Sequence, residues 1–267
     1  MCCAKLSVAR VPLISGLLSL LLACSTATVD KTASWSPNKI YSEAKDELQA
    51  GAYKNAIELF EKLEGRAAGT PLAQQAQLEK AYAHYKFSEP AQAIATIDRF
   101  LKLHPASPAI DYALYLKGII SFNDDLGLFS AITRQDLSER DQKAAKESFE
   151  SFKELSTRFP ESRYTPEALQ RMTYIVNSLA KYEVHVARYY YTHGAYLAAI
   201  NRAQTALTEY RDVPVQEQAL VLMIQSYDAL GLQELRDDSR RVLEKNFPQS
   251  DFLTGGAKAK SFWSRFF

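Results

Sequence analysis

The chain has 267 residues, of which 32 are basic and 31 are acidic, so its formal net charge is +1. This near balance excludes the strongly basic footprint that nucleic-acid-binding proteins carry. A chain of this length with 10 glycines can bury a sizeable hydrophobic core.

The beginning of the chain combines two basic side chains, Lys5 and Arg10, with an apolar run from Val11 to Leu22. A helix over that run would be about 18 Å long, which is too short for a hydrocarbon core of about 30 Å. We therefore predict a secretory signal peptide over residues 1–23 rather than a membrane span. The residues at its end, Leu21-Leu22-Ala23-Cys24, resemble the lipobox of bacterial lipoproteins.

The lipobox resemblance implies that the chain is cut before Cys24 and that Cys24 carries fatty acids, palmitate among them. Three acyl chains anchor a protein firmly, whereas one holds it only marginally. In lipoproteins an aspartate after the cysteine favours retention in the inner membrane. Here Ser25 follows, which implies the outer membrane and its periplasmic face. Residues 24–36 would form the lipidated cysteine and a flexible tether, and the alternative is an ordinary signal peptide with an incidental cysteine.

Pairs of Ser or Thr with a following Pro recur along the chain and predict helix starts. The hydroxyl caps free backbone N–H groups, and a proline at the first helical position loses a donor that had no partner. The first two pairs are 34 residues apart and the next gap is 37, close to the period of a tetratricopeptide repeat. The pairs are Ser36-Pro37, Thr70-Pro71, Ser107-Pro108 and Thr165-Pro166, with Val213-Pro214 as a looser fifth.

A turn and a second helix follow within the repeats, as in Gly51-x-Tyr53-x-x-Ala56-Ile57-x-x-Phe60. This pattern resembles the tetratricopeptide repeat. We predict an all-α fold, a tetratricopeptide-repeat α-solenoid of about five helix pairs over residues 37–250, with a concave groove for peptides or partner domains. The expected repeats are 37–69, 70–106, 107–162 with an insertion at 123–140, 165–212 and 213–250, and a basic, aromatic tail follows at 251–267.

Signals for chemistry are missing from the sequence. It contains no P-loop, dinucleotide fingerprint or nucleophile elbow, and its four histidines form no ligand pattern. We therefore predict no enzymatic activity, no cofactor and no metal. His185 lies between Val184 and Val186 on an apolar stripe, where we expect a hydrogen-bonded core histidine.

The most distinctive stretch is Tyr182-Glu183-Val184-His185-Val186-Ala187-Arg188-Tyr189-Tyr190-Tyr191. Successive helical residues are about 100° apart, so three consecutive tyrosines cannot all face the core. At least one should lie at a surface or an interface. With the lipobox and the helix pairs, this run resembles the BamD family, lipoprotein subunits of the outer-membrane β-barrel assembly (Bam) machine. The resemblance implies a non-enzymatic subunit that docks to BamA, contacts other Bam subunits, receives unfolded β-barrel proteins and binds no nucleic acid.

The same resemblance implies particular sites. In that family an arginine of an Asn-Arg pair forms an ion pair with BamA. The N-terminal repeats are proposed to receive the C-terminal segment of unfolded barrel proteins. On this chain the BamA-binding residues would be Arg202, Asn201 and Tyr191. Periodicity assigns the substrate groove to Tyr53, Tyr82 and Tyr85, of which Tyr53 and Tyr82 also fit core positions.

Several alternatives stay open from the sequence alone. Another periplasmic repeat lipoprotein, for pilus assembly or for coordination of cell-wall synthesis, would share the lipobox and the helices but lack the tyrosine run. A cell-wall enzyme would need a catalytic domain for which no segment is left. The tail could be a disordered end, a partner-binding segment, an occupant of the chain's own groove, or a membrane-surface binder.

Overall fold

A computed structural model describes residues 30–122 and 142–253. The signal peptide, Cys24, the insertion at 123–140 and the tail beyond Leu253 lie outside these residues. Every regular element within them is an α-helix, which confirms the predicted all-α class. The helices are α1 Pro37–Gln49, α2 Tyr53–Arg66, α3 Pro71–Lys86, α4 Pro90–Leu103, α5 Ile110–Ser121, α6 Gln142–Arg158, α7 Thr165–Thr192, α8 Tyr196–Glu209, α9 Gln216–Ala229 and α10 Gln233–Asn246.

The predicted caps are confirmed at the first two helix pairs. The Ser36 hydroxyl accepts the backbone N–H of Lys39 at 3.3 Å, and the Thr70 hydroxyl accepts that of Ala73 at 3.3 Å. Both helices have a proline in the first turn. Each hydroxyl satisfies one of the N–H groups that a helix start leaves unpaired.

The same prediction is wrong at Ser107 and Thr165. Helix α5 begins only at Ile110, and the Ser107 hydroxyl accepts the N–H of Ala109 at 3.4 Å inside the preceding turn. Thr165 is itself the first residue of α7, and its hydroxyl donates to the Phe159 carbonyl at 2.7 Å. The Thr165 hydroxyl closes the turn that follows α6, and the Ser107 hydroxyl bonds the short turn that leads into α5, so neither accepts an N–H group of the next helix.

The turn inside four of the helix pairs contains a residue in the left-handed region. Gly51, Gly194 and Gly231 occupy this place with φ of 77°, 76° and 71°, a conformation that glycine adopts without steric cost. Ser88 holds the equivalent place between α3 and α4 with φ of 63°. The turn geometry is therefore kept where the glycine of the motif is absent.

Each second helix except α10 packs between the first helix of its own pair and the first helix of the next pair. Helix α2 contacts α1 and α3, α4 contacts α3 and α5, and α8 contacts α7 and α9. The small residues of the motif, Ala56, Ala93 and Ala199, are fully buried at these contacts. The buried side chains therefore form successive clusters along a solenoid.

Helix α10 is polar where the earlier second helices are apolar. Arg236 and Arg240 stand at the positions that Ala56 and Phe60 hold in α2. The Arg236 guanidinium forms an ion pair with Asp228 at 2.9 Å. A helix with this composition can face water, which suits the end of a solenoid.

Gly118 lies at the contact between α5 and α6, where its carbonyl accepts from the Ser148 hydroxyl at 2.7 Å. A Cβ atom at this position would stand 2.5 Å from the Phe152 ring. Phe152 is 1% exposed, so its ring has no room to move aside. We expect Gly118→Ala to lower the free energy of unfolding by about 1–3 kcal/mol, as overpacked cores do. Urea unfolding followed by circular dichroism measures the change.

Gly65→Ala is the matched control in helix α2. Nothing lies within 4 Å of the Cβ position at Gly65, so the substitution should raise stability by up to about 1 kcal/mol through helix propensity. Equal losses for the two variants would contradict a steric role for Gly118.

Candidate partner-binding surfaces

An ion pair with one buried member joins α7 to α8. Arg202 donates from Nη1 to Oε2 of Glu183 at 3.1 Å. The Glu183 side chain is 6% exposed and the Arg202 side chain is 43% exposed. The hydrogen bond to Glu183 raises the pKa of Arg202, which stays cationic. A guanidinium has five N–H donors, so those that Glu183 does not use can meet a carboxylate from another protein.

The exposed member of the tyrosine run is Tyr189. Its side chain is 56% exposed, and its ring centroid lies 4.1 Å from that of His193. Leu197, in the first turn of α8, is 65% exposed. This exposure confirms the prediction that the three tyrosines cannot all be buried. The sequence could not select Tyr189, because which tyrosine faces out depends on how α7 is rotated against its neighbours.

The other two tyrosines of the run are half-buried. Tyr190 lies close enough to Arg202 to raise the pKa of its guanidinium, after the larger effect of Glu183. Tyr191 packs against the cluster shared by α7, α8 and α9, and its ring lies 5.6 Å from that of Tyr196. Burial raises the pKa of Tyr191. Asn201, next to Arg202, is exposed.

A cavity of about 1010 Å³ opens where the first helices of three successive pairs begin. Its walls are the start of α3, the linker from α4 to α5, the start of α5 and the two residues before α7. The apolar part of the lining includes Pro71, Leu78, Leu103, Pro105, Pro108, Tyr112 and Tyr164, and the polar part includes Gln75, Glu79, His104, Asp111 and Arg163.

Tyr112 and Tyr164 form one wall of this cavity, and Tyr115, outside the lining, stacks on Tyr164. The Tyr164 ring lies 4.7 Å from Tyr115 and 5.5 Å from Tyr112, and the Arg163 guanidinium lies 4.7 Å from its centroid. The Tyr115 hydroxyl donates to Glu167 at 2.6 Å. Burial and this carboxylate raise the pKa of Tyr115 to about 12, and burial also raises the pKa of Tyr112. The phenols are therefore neutral near pH 7.

The two carboxylates of the lining both accept hydrogen bonds within the protein, and Glu79 is the one that meets a cation. Glu79 accepts from Lys45 at 2.8 Å, and Asp111 accepts from the Ser162 hydroxyl at 2.7 Å. Arg163 is exposed and stands beside the aromatic wall. Beside the aromatic wall, Arg163 offers a cation to a ligand carboxylate, and Asp111 adds a negative charge to the same lining.

The three tyrosines assigned to a groove from periodicity do not line this cavity. Tyr82 and Tyr85 lie together on α3 with ring centroids 6.4 Å apart, and Tyr53 packs against the core of the first pair. Tyr112 and Tyr164, which do line it, were not singled out from the sequence. Each follows, within five residues, a Pro-x-Ser sequence that comes after a helix, Pro105-Ala106-Ser107 and Pro160-Glu161-Ser162. That spacing is the sequence feature that could have pointed to these two tyrosines.

The expectation of a core histidine at position 185 is wrong. His185 is exposed, because the buried stripe of α7 passes through Val184 and Ala187 instead. Within residues 30–122 and 142–253, no three His, Cys, Asp or Glu side chains are arranged to hold a metal ion. None of the helices in this part of the chain combines the length and apolarity needed to cross a membrane.

The stacked helix pairs place the chain among the tetratricopeptide-repeat proteins. The family described as YfiO, outer membrane lipoprotein, matches residues 33–243. The chain is similar to proteins named outer membrane protein assembly factor BamD. It is 46% identical over 239 residues to the one from Neisseria meningitidis serogroup A, which covers 88% of this chain and 90% of that protein.

More distant relatives carry the same name. Identity is 34% over 235 residues with the Vibrio cholerae protein, covering 87% of this chain and 97% of that one. Identity with the Haemophilus influenzae protein is 30% over 228 residues, covering 85% of this chain and 87% of that one. The chain therefore belongs to the BamD family of outer membrane protein assembly factors, which is non-enzymatic.

Proposed function

We propose that this protein is a lipid-anchored, periplasm-facing subunit of the Bam machine that docks to BamA through the α7–α8 hairpin. It receives unfolded β-barrel proteins in the cavity at the starts of α3, α5 and α7. By holding a substrate segment near BamA, it raises the effective concentration of that segment. Membership of the BamD family carries the proposal.

The Arg202–Glu183 pair supports the proposal that the α7–α8 hairpin docks to BamA. A buried carboxylate is costly unless it is paired, so Glu183 holds the Arg202 side chain in one orientation. A cation fixed in this way loses less conformational entropy when it binds. Tyr189 and Leu197 add exposed apolar area to the same hairpin, and tyrosine is enriched at interfaces.

A charge reversal at Arg202 is an ambiguous test, because it places a second carboxylate beside Glu183. Arg202→Met removes the cation without repulsion. It still leaves Glu183 unpaired, so the double variant with Glu183→Gln is needed to restore stability. Arg240→Met is the matched control, since Arg240 is also half-exposed and pairs with a glutamate, Glu244, at 3.1 Å.

We expect Arg202→Met and the double variant to weaken binding to the periplasmic domains of BamA at least about tenfold, or about 1.4 kcal/mol. Arg240→Met should bind as the parent does. Biolayer interferometry measures the affinity, and thermal unfolding checks that the double variant is folded. Unchanged affinity in a folded double variant would reject Arg202 as a docking residue.

The aromatic wall and the neighbouring cation of the cavity support the proposal that it receives unfolded β-barrel proteins. Unfolded barrel proteins end in an aromatic residue with a free carboxylate. Tyr112 and Tyr164 provide an aromatic wall, and Arg163 provides a cation beside it. Leu103 is 58% exposed on the rim, so it is available to an incoming side chain.

We expect Arg163→Gln to weaken binding of a barrel C-terminal peptide about five- to tenfold, as the loss of one charged pair does. Amidating the peptide should weaken binding to the parent equally and should leave binding to Arg163→Gln unchanged. Fluorescence anisotropy measures both affinities.

Tyr85→Ala separates this cavity from the groove assigned by periodicity. If Tyr85→Ala weakens peptide binding and Arg163→Gln does not, the substrate site lies along α3 instead. Arg240→Gln controls for the loss of an exposed cation elsewhere on the solenoid.

The start of the described chain supports anchoring close to the membrane. Asp30 accepts from Lys62 and from Arg66 of α2 at 2.9 Å each. Hydrogen bonds from Lys62 and Thr32 hold the pKa of Asp30 well below its usual range. Asp30 lies six positions after Cys24, and six extended residues span at most about 22 Å. A lipid on Cys24 would therefore keep the first helix pair near the membrane surface.

We expect Cys24→Ser to move the protein from the membrane to the soluble periplasmic fraction, because no acyl chain can then be attached. Ser25→Asp is the control that keeps the lipid and should shift the protein to the inner membrane. Quantitative retention of Cys24→Ser in outer membranes that lack BamA would contradict the anchor.

A further inference from the structure

A small groove with both apolar and amide side chains in its lining lies near the C-terminal end of the described solenoid. It has a volume of about 450 Å³ and is lined by Leu207 of α8, Gln216 and Leu220 of α9, and Val242, Asn246 and Phe247 at the end of α10. A cavity of about 150 Å³ is enough for a benzene ring. This groove therefore has room for more than one aromatic side chain.

Apolar side chains beside the groove remain open to solvent. Val242 and Leu235 are each 46% exposed and lie seven residues apart, on one face of α10. The described residues contain no helix after α10 that could cover them. On α10 itself, Arg236 and Arg240 replace the alanine and phenylalanine of the motif. These two cations disfavour the packing of a further apolar helix against α10.

The chain leaves the described region beside this groove. Phe252 and Leu253, the last two described residues, pack against a cluster formed by Leu220, Val221, Ile224 and Leu243. Leu207 and Phe247 pack on the same cluster and also line the groove. The turn is held by two bonds, from the Ser250 N–H to the Phe247 carbonyl at 2.9 Å and from the Leu253 N–H to the Ser250 carbonyl at 3.0 Å.

The composition of the remaining residues matches the groove. Residues 254–267 include four aromatic side chains, Phe262, Trp263, Phe266 and Phe267. They also carry three cations, Lys258, Lys260 and Arg265, and no acidic side chain. The residues next to the lining carry both signs of charge, with Glu209 and Glu217 near Leu207 and Gln216, and Arg241 and Lys245 beside Val242 and Asn246. The match therefore rests on the aromatic side chains of the segment and not on charge.

The tail after Leu253 is long enough for its aromatic residues to reach the groove. Nine residues from Leu253 to Phe262 span up to about 30 Å when extended, whereas packed helices lie about 8–10 Å apart. Gly255 and Gly256 allow the chain to reverse direction. Since the segment is tethered next to the groove, its effective concentration there is in the millimolar range.

We infer that residues 254–267 of the chain dock in this groove, with aromatic side chains of residues 262–267 seated between α8 and α10. The segment acts as the apolar cover of the last two repeats. This assignment is independent of the docking and receiving roles proposed above.

The two tryptophans of the chain make the inference testable. Trp35 and Trp263 are the only ones, so Trp35→Phe leaves Trp263 as a single reporter in the tail. In a chain that begins at residue 24, Cys24→Ser removes the last native thiol. A nitroxide can then be attached at Val242→Cys, in the groove, or at Leu103→Cys, a comparably exposed site on α4.

We expect Trp263 emission to be blue-shifted in the folded chain relative to the same chain in urea. The Val242 label should quench more than half of this emission, and the Leu103 label should quench little. Dilution with unlabelled chain should leave the quenching unchanged, because the contact lies within one molecule. Val242→Asp, at the edge of the groove, should shift the emission toward that of solvated tryptophan.

Three results would overturn the inference. Solvent-like Trp263 emission with equal quenching from both labels shows that the segment is not docked. Quenching that falls on dilution assigns the segment to a second copy. A blue shift that appears only with anionic phospholipid vesicles assigns it to a membrane surface.

Unfolding of the labelled Val242→Cys chain is checked by circular dichroism, and Leu235→Cys is an alternative label site on the same face of α10.

Discussion

The structure depends on the packing of each helix pair against the next, because one pair alone cannot bury both of its apolar sides. Fully buried alanines such as Ala56, Ala93 and Ala199 bring the second helices close to both neighbours. Stability then resembles a sum of neighbouring contacts rather than a property of one central core. Within residues 30–122 and 142–253, the first and the last helix pair each have a neighbouring pair on one side only, and the two ends differ in composition. Asp30 clamps the incoming chain to α2, and α10 carries arginines in place of motif residues.

Because the helix faces are largely buried in contacts between the pairs, the turns and helix ends are the parts that remain available for binding. The cavity lies where linkers enter α3, α5 and α7, and its lining comes largely from residues outside the middle of any helix. Loops on a rigid scaffold commonly carry function for this reason. The wall is also supported from the core, since Tyr115 stacks on Tyr164 and its hydroxyl joins α5 to Glu167 of α7. A ligand seated there would contact side chains that are already held in place.

The Arg202–Glu183 pair shows how one interaction can serve both structure and binding. Glu183 is buried and requires a cation, and Arg202 supplies it while keeping much of its guanidinium at the surface. In the proposed function, the anchor, the substrate cavity and the docking hairpin follow one another along the solenoid. A rigid stack of repeats would hold these three sites at constant separations, which suits a protein that works by positioning others.

Local pattern in the sequence determined the helices, their period and the first two caps, because amphipathic spacing and hydroxyl-proline pairs act within a few residues. It also determined that one of Tyr189, Tyr190 and Tyr191 must be exposed, since helical geometry leaves no other outcome. Only the tertiary structure decided that the exposed residue is Tyr189, that His185 faces solvent, and that the Ser107 and Thr165 hydroxyls bond turns between the helices. It also decided that Tyr112 and Tyr164, rather than Tyr53, Tyr82 and Tyr85, line the cavity. These outcomes depend on how each helix is rotated against its neighbours and on which linkers meet in space, and contacts between residues far apart in the chain set both.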